Sequence, residues 1–319
     1  MTQALSFTSL VGQERAKTTL NRVFNSGRMA HAYLFRGPDG VGKKHCAQLV
    51  AARANCRQPD EAGACGVCPS CRKCLSGNHP DLVIVSPVNG TIKIDVVREL
   101  CRSLSYPPYE SERRVVIIED IHTMTQAAAN SLLKTLEEPP QQNLLILTAE
   151  TSKELLQTVV SRCQVINFHG LSAGQTVRVL TQLQPELDRE EAELLAGLSD
   201  GSPGTALVLQ KKELISRYRS LRELLEVTRS PADDVSDVLV EAEQLAALKG
   251  DLPLFLGLLR MWVRDRLLES PEGAGHQAWH RRLDDIDRAE RQLARNCNRT
   301  LVCEVLLFNL QSPAPAVSL

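Results

Sequence analysis

The sequence is short of several features whose absence excludes whole classes of protein. No apolar run reaches the roughly 18 to 20 residues that a helix needs to cross a bilayer, which excludes a membrane-spanning protein. Residues 1–10 carry neither a basic nor a long apolar segment, so we expect no signal peptide and a cytoplasmic location. Lys and Arg number 37 against 38 Asp and Glu, and this balance excludes a protein that works through one large positive field.

The first half of the 319-residue chain alternates short apolar runs with helical patterns. Hydrophobic residues make up 43% of the chain, enough to give two or three domains a buried core each. The patterns predict strands at residues 33–35, 82–85, 115–118, 144–147 and 165–168, and helices at 41–54, 94–104 and 125–138. This alternation is typical of a mostly parallel sheet covered by helices on both faces.

The second half has a different character, because we find no convincing strand after about residue 171. Helical patterns cover residues 190–198, 215–229, 232–248, 252–268 and 279–311. We therefore expect an α/β domain over residues 1–170, a small helical domain over 171–210 and an all-α domain over 211–319.

A glycine-rich loop, Gly37 to Lys44, lies between a predicted strand and a predicted helix. In such a loop Gly37, Gly40 and Gly42 let backbone N–H groups wrap a phosphate, and Lys43 reaches the outer phosphates of a nucleotide. A Ser or Thr should follow the lysine to hold Mg²⁺, but this position is Lys44, whose ammonium cannot bind a cation. We expect no ATP hydrolysis here. ATP binding stays open, the alternative being a loop retained only for the fold.

Polar residues at two other strand ends extend this candidate site. Glu119 and Asp120 follow the third strand, in the reverse of the Asp–Glu order that ATPases of this type use. The reversed order places each carboxylate one methylene group away from its expected reach. A displacement of about 1 Å in a catalytic group can lower the rate about 100-fold. Thr148 ends the fourth strand, where a polar sensor of the γ-phosphate is expected. The alternatives are an exposed acidic corner and an ordinary strand-end threonine.

The ten cysteines are unevenly distributed, and half of them crowd into residues 56–74. Four thiolates with Cys-x2-Cys spacing are the ligands of a structural zinc site, which we assign to Cys56, Cys65, Cys68 and Cys71. Cys74 is a fifth thiol close by, so the ligand set stays ambiguous. An iron–sulfur cluster, a redox switch and unliganded thiols are the alternatives. We interpret the nearby His79 as a hydrogen-bonding loop residue.

Several motifs together are specific for one family. They are Val11-Gly12-Gln13, His31-Ala32-Tyr33-Leu34-Phe35, the phosphate loop, the cysteine insert, Leu132 to Pro140 and Ser161-Arg162-Cys163. Over residues 6–204, and more loosely over 296–310, the chain resembles bacterial DNA polymerase III clamp-loader subunits. The resemblance implies an AAA+ parallel-sheet nucleotide-binding domain with a zinc insert at 56–74, followed by a small helical lid and an all-α collar domain.

Two types of subunit in that family carry these motifs, the ATP-hydrolysing gamma/tau type and the delta-prime type. Lys44, the reversed acidic pair and Gly204 favour the delta-prime type, since the motor type has at the position of Gly204 an Arg that touches nucleotide. The resemblance implies that Arg162 acts in trans on the ATP site of a neighbouring subunit. From the residues alone, Arg162 could instead cap a helix end.

The resemblance also implies partners. They are the gamma/tau and delta subunits, the sliding clamp and, through the complex, primed DNA, all within a DNA-directed DNA polymerase holoenzyme. Two other hypotheses stay open: an ATPase motor subunit, and a zinc-dependent DNA-binding module with a vestigial phosphate loop.

Overall fold

A computed structural model of the chain describes residues 5–150, 155–211, 214–226, 234–270 and 274–311. The chain divides into two compact units, Met1–Leu207 and Val208–Leu319. Over the described residues, no helix combines the length and the apolar character that crossing a membrane requires.

The first unit is built on one parallel sheet of five strands in the order β2-β3-β4-β1-β5. The strands are β1 Ala32–Arg36, β2 Leu82–Val85, β3 Arg114–Ile118, β4 Asn143–Ala149 and β5 Gln164–Asn167. Every residue of β3 and β4 is buried, because these central strands are apolar on both faces and are covered on both. The predicted sheet and its strands are confirmed, with small shifts at the strand ends.

Helices cover both faces of this sheet. They are α1 Glu14–Ser26, α2 Lys43–Ala54, α3 Pro69–Leu75, α4 Ile94–Leu104, α5 Gln126–Glu137 and α6 Gln157–Val160. One apolar core packs α1 and α2 against the sheet, through side chains such as Leu20 and Leu49. The other packs α4 and α5, through Val97 and Leu132. Helices α1 and α3 were not predicted from the sequence.

Because the strands are parallel, their carboxyl ends meet at one edge of the sheet and their amino ends at the other. The phosphate loop, the acidic pair and Thr148 lie at the carboxyl edge. Arg162 precedes β5 and lies at the amino edge. The segment 105–113, here called the tyrosine loop, precedes β3 and lies at the amino edge as well.

Two buried charged side chains hold the tyrosine loop. The guanidinium of Arg114 donates hydrogen bonds to the carbonyl oxygens of Ser103, Tyr106 and Pro107. The carboxylate of Asp81 accepts the backbone N–H groups of Tyr109, Glu110 and Ser111. These bonds satisfy main-chain groups that a loop cannot pair within itself, so they fix its path.

Helices alone form the rest of the described chain. The first unit also contains α7 Ala173–Leu183 and α8 Arg189–Leu198. Helix α9, Pro203–Lys211, begins in the first unit and continues past its last residue. The second unit contains α10 Leu214–Glu226, α11 Asp234–Ala246, α12 Leu252–Glu269, α13 Ala274–Ala294 and α14 Arg299–Gln311. Parts of the predicted helices 215–229 and 232–248 lie outside the described residues.

The prediction of one continuous helical stretch over residues 279–311 is wrong. The chain turns between α13 and α14, where Asn296 adopts a left-handed conformation with φ of 58°. The side-chain oxygen of Asn298 accepts the N–H of Leu301, which is how an asparagine starts a new helix. The local chemistry of asparagine therefore outweighs the apolar periodicity on either side.

We expect Asp81→Asn to lower the free energy of unfolding by about 1–3 kcal/mol at pH 7. Burial alone raises the pKa of Asp81, but the N–H bonds from Glu110, Tyr109 and Ser111 outweigh it and hold the pKa below its ordinary value. The carboxylate therefore stabilises the fold above about pH 4, and this contribution is lost as pH falls through the lower pKa of the folded state.

Urea unfolding at pH 7 and again below pH 4 measures this effect. The difference between wild type and Asp81→Asn should shrink in acid, while the exposed Glu99→Gln control should match wild type at neutral pH. Equal stability of Asp81→Asn and wild type at pH 7 would contradict the assigned role.

Candidate functional site

The phosphate loop follows β1 and leads into α2, which begins at Lys43. Gly40 and Gly42 adopt left-handed φ angles of 68° and 99°, which the tight turn of the loop requires. The buried ammonium of Lys43 donates hydrogen bonds to the carbonyl oxygens of Gly37, at 3.0 Å, and Pro38. Burial lowers the pKa of Lys43, and nearby carboxylates act in the opposite direction. The lysine thus bonds to its own loop.

Lys44 points to the acidic pair, and its Nζ lies 2.8 Å from Oε1 of Glu119. The Glu119 side chain is only 12% exposed, so Glu119 does not belong to an exposed acidic corner, the alternative considered above. Ser86 donates its hydroxyl to the other oxygen of Glu119, at 3.0 Å. In nucleotide-hydrolysing proteins of this type, the residue after the loop lysine and an acidic residue after the third strand both hold Mg²⁺. Here those two positions bond to each other.

Asp120 and Thr148 are also brought together. The backbone N–H of Asp120 donates to Oγ1 of the buried Thr148, at 3.0 Å. Asp120 has a left-handed backbone, with φ of 49°. Burial, with a contribution from the charge of Asp39, raises the pKa of Asp120. All the predicted phosphate-site residues therefore gather at the carboxyl edge.

The start of α9 rests directly on the phosphate loop. The N–H of Gly204 donates to the carbonyl oxygen of Gly40 at 3.0 Å. The hydroxyl of Ser202 donates to the carbonyl oxygen of Asp39 at 2.8 Å. A Cβ atom added to Gly204 would lie 2.6 Å from Cα of Gly40. Any side chain at position 204 would therefore push the two segments apart. Gly204 was singled out from the sequence, but its contact with the loop was not predicted.

Arg162 lies far from this cluster, at the amino edge of the sheet. The whole length of β5 separates Arg162 from the carboxyl edge, and a four-residue strand is about 13 Å long. The side chain of Arg162 is 33% exposed, and its guanidinium donates to the carbonyl oxygen of Thr158 at 2.9 Å and forms an ion pair with Glu137. The bond to Thr158 is the helix-end contact considered as an alternative. Arg162 cannot reach the phosphate loop of its own chain.

The four cysteines of the predicted metal site converge. All four Sγ atoms lie within 4.8 Å of one another, with Cys71 3.6 Å from Cys56 and 3.9 Å from Cys65. Zinc–sulfur bonds of about 2.3 Å in a tetrahedron place the sulfurs about 3.8 Å apart. Backbone N–H groups of Cys65, Cys68 and Cys71 each point to the Sγ of the preceding cysteine in the set. The donor set fits a tetrahedral metal ion.

The electrostatics of the cluster also favour a cation. The N–H groups of Val67 and Cys68 lower the pKa of Cys65, so its thiolate is favoured. Burial raises the pKa of Cys71, since a buried thiolate is unfavourable without a positive charge beside it. A bound divalent ion would remove that penalty, because metal binding and thiol deprotonation are linked.

Cys74 and His79 lie outside the group of four, which is the one group among the described residues whose ligand atoms lie close enough together to hold a metal ion. Burial raises the pKa of Cys74 to about 11. The ring of His79 is hydrogen-bonded to the hydroxyl of Ser70 at 3.0 Å and accepts the N–H of Asp81 at 3.1 Å. The interpretation of His79 as a hydrogen-bonding residue is confirmed.

Comparison with known proteins bears on this arrangement. Residues 12–172, which contain the phosphate loop, the cysteine cluster and Arg162, match the family described as DNA polymerase III, delta subunit. The chain belongs to this family. The match spans the sheet and its helices, and the resemblance read from the motifs is confirmed at this level.

Relatives within the DNA polymerase III family carry more than one subunit name. The chain is 35% identical to DNA polymerase III subunit tau of Escherichia coli over 218 residues, which cover 66% of this chain and 33% of that protein. It is 39% identical to DNA polymerase III subunit delta' of Pseudomonas aeruginosa over 181 residues, 56% of this chain and 55% of that one. The chain thus spans between about a third and three fifths of the length of the curated relatives it matches.

A solved structure supports the fold of this DNA polymerase III family chain. A gamma subunit-related protein of Thermotoga maritima superposes with a TM-score of 0.50 at 21% identity, covering 93% of this chain and 98% of the other. This likeness agrees with the AAA+ class predicted for the parallel sheet.

We expect purified wild-type chain to carry one zinc ion, as measured by elemental mass spectrometry after dialysis. Cys71→Ser should lose that metal, because Cys71 is fully buried and contacts two other sulfurs of the group. Cys74→Ser is the matched control and should keep it, since Cys74 lies outside the group. Iron in place of zinc, a metal-free wild type or equal loss in both variants would contradict the assignment.

Proposed function

We propose that the chain is a delta-prime-type subunit of the DNA polymerase III clamp loader. It completes a ring of loader subunits, lends Arg162 to the ATP site of a neighbouring gamma/tau subunit and helps to load the sliding clamp on primed DNA. It does not hydrolyse ATP itself. Its partners are the gamma/tau and delta subunits, the clamp and, through the complex, primed DNA. The protein acts in the cytoplasm and carries a structural zinc ion.

The observation that carries this proposal is the ion pair between Lys44 and Glu119. The lysine brings a positive charge to the carboxylate that would otherwise bind Mg²⁺, and like charges repel. Its ammonium has no lone pair with which to ligate the ion. Without Mg²⁺ the charge that develops on a transferred phosphoryl group is not neutralised, and hydrolysis fails.

The contact between α9 and the phosphate loop supports the same conclusion. An Arg at position 204, as expected in the motor type, has no space while the loop and the start of α9 stay in contact. Lys43 is occupied by loop carbonyl groups rather than open to a ligand. The site holds itself together through its own hydrogen bonds, and this arrangement suits a structural role.

The position of Arg162 supports action in trans. A guanidinium stays charged at any physiological pH and its planar fork matches phosphate oxygens. The ion pair with Glu137 keeps the side chain at the amino edge, partly exposed. A neighbour's γ-phosphate, with more negative charge than one carboxylate, would compete for the guanidinium in the assembled ring.

The second candidate function is the gamma/tau-type motor subunit. The 35% identity to a tau subunit and the complete set of loop glycines favour it. It requires Mg·ATP to be cleaved at the chain's own phosphate loop, which the pairing of Lys44 with Glu119 opposes.

We expect Arg162→Ala to leave folding and assembly intact and to cut DNA-stimulated ATP turnover and clamp loading of the reconstituted complex. Loss of an arginine finger lowers the rate at its site by about 10³-fold or more. Arg162→Lys should be nearly as impaired, because lysine lacks the planar fork.

Lys43→Ala is the matched comparison, since it alters the chain's own phosphate loop. It should affect turnover of the complex far less than Arg162→Ala. Unchanged turnover with Arg162→Ala would remove the trans role, and the reverse ranking of the two variants would favour the motor subunit.

A further inference from the structure

The guanidinium of Arg162 is held on two sides by groups of its own chain. Its Nη1 donates to the carbonyl oxygen of Thr158 at 2.9 Å and to Oγ of Ser161 at 3.3 Å. Its Nη2 donates to Oε1 of Glu137. A guanidinium is planar and carries five N–H groups, so bonds at two of its nitrogens fix the orientation of the whole group.

Two of the five N–H groups stay unused. One lies on Nε and one on Nη2, and neither donates to a group of the residues that the structure describes. The Arg162 side chain is a third exposed, which leaves room for a group of another chain to approach it. Two N–H groups of one planar fork match two oxygens of a phosphate.

Both segments that hold the guanidinium are themselves anchored. Glu137 is the last residue of α5, and the preceding Leu136 is buried in the apolar core under that helix. The ring of His31 donates to the carbonyl oxygen of Leu136 at 3.1 Å. Thr158 belongs to α6, whose Val159 is buried in the same core. The groups that accept from the guanidinium therefore have fixed positions.

The ion pair between Glu137 and Arg162 matters more for orientation than for stability. The Glu137 side chain is about half exposed, and an ion pair in contact with water contributes little to the free energy of unfolding. An arginine that is already held in one conformation loses less side-chain entropy when it meets a phosphate. A displacement of about 1 Å in a group that acts on a reaction can lower the rate about 100-fold.

We propose that Glu137 is the positioning residue for Arg162 and holds its guanidinium ready for a phosphate in a neighbouring subunit. The inference rests on the function proposed above, because it needs Arg162 to act in trans. Glu137 acts through the arginine and not on the nucleotide itself. It does so by accepting a hydrogen bond, so a neutral side chain with an oxygen at the same reach can replace it.

The test measures kcat and KM for DNA-stimulated ATP turnover of the reconstituted complex, with full-length variants of this chain. Glu137→Ala should lower kcat about tenfold or more, though less than Arg162→Ala does, and should leave KM unchanged. Glu137→Gln keeps an acceptor oxygen at the same reach and should keep most of the wild-type kcat. Equal losses in Glu137→Ala and Glu137→Gln would contradict positioning through a hydrogen bond.

A double variant separates positioning from a merely structural role. In the Arg162→Ala background, Glu137→Ala should cause no further loss, because its effect passes through the arginine. The urea midpoint of Glu137→Ala should equal that of wild type. Glu138→Ala is the matched control, since Glu138 is the next residue, is also exposed and forms no ion pair with any residue that the structure describes. It should turn over ATP as wild type does.

Failure of this inference and failure of the proposed function give different results. If Arg162→Ala impairs the complex while Glu137→Ala leaves kcat unchanged, the positioning role is wrong and the trans role stands. A rise in kcat with Glu137→Ala, or a further loss in the double variant, would overturn the positioning role as well. If Arg162→Ala itself leaves turnover unchanged, the function on which the inference rests is wrong.

Discussion

The ion pair between Lys44 and Glu119 is the interaction on which the interpretation of this molecule depends. It joins the two positions that hold Mg²⁺ in phosphate-loop enzymes and places a fixed protein charge between them. The surrounding structure is consistent with a lysine charge in place of a bound Mg²⁺ ion. Lys43 bonds to loop carbonyl groups, Asp120 bonds to Thr148, and Gly204 lets α9 sit on the loop. The parallel-sheet fold is preserved, while the two positions that would hold a catalytic ion bond to each other.

The parallel sheet separates the phosphate loop from Arg162. The altered phosphate site lies at the carboxyl edge, and Arg162 lies at the amino edge beyond the length of β5. A chain that holds both features cannot bring them to one nucleotide. The proposed ring of subunits would bring them together if the amino edge of one subunit faced the carboxyl edge of the next. The relatives of the chain include proteins named subunit tau and subunit delta'.

Much of the fold and of the candidate metal site could be predicted from sequence, because β3 has four apolar residues in succession after Arg114 and the cysteine spacing is specific. The contacts on which the proposed function depends could not. Lys44 contacts Glu119, and Gly204 contacts Gly40, only once segments that are distant in sequence have folded together. Helix α1 was missed although its buried Ala16 and Leu20 lie at helical spacing, a signal that was present. The break at Asn296 was missed because apolar periodicity continues on both sides of it.

The central claim is tested most directly with the purified full-length chain and no partner. Isothermal titration and a phosphate-release assay with Mg·ATP measure binding and cleavage at its own phosphate loop. We predict no cleavage above background, whether or not the nucleotide binds. Cleavage at a clear rate that disappears on Lys43→Ala would contradict the claim, because the pair of Lys44 and Glu119 would then have failed to displace the catalytic ion.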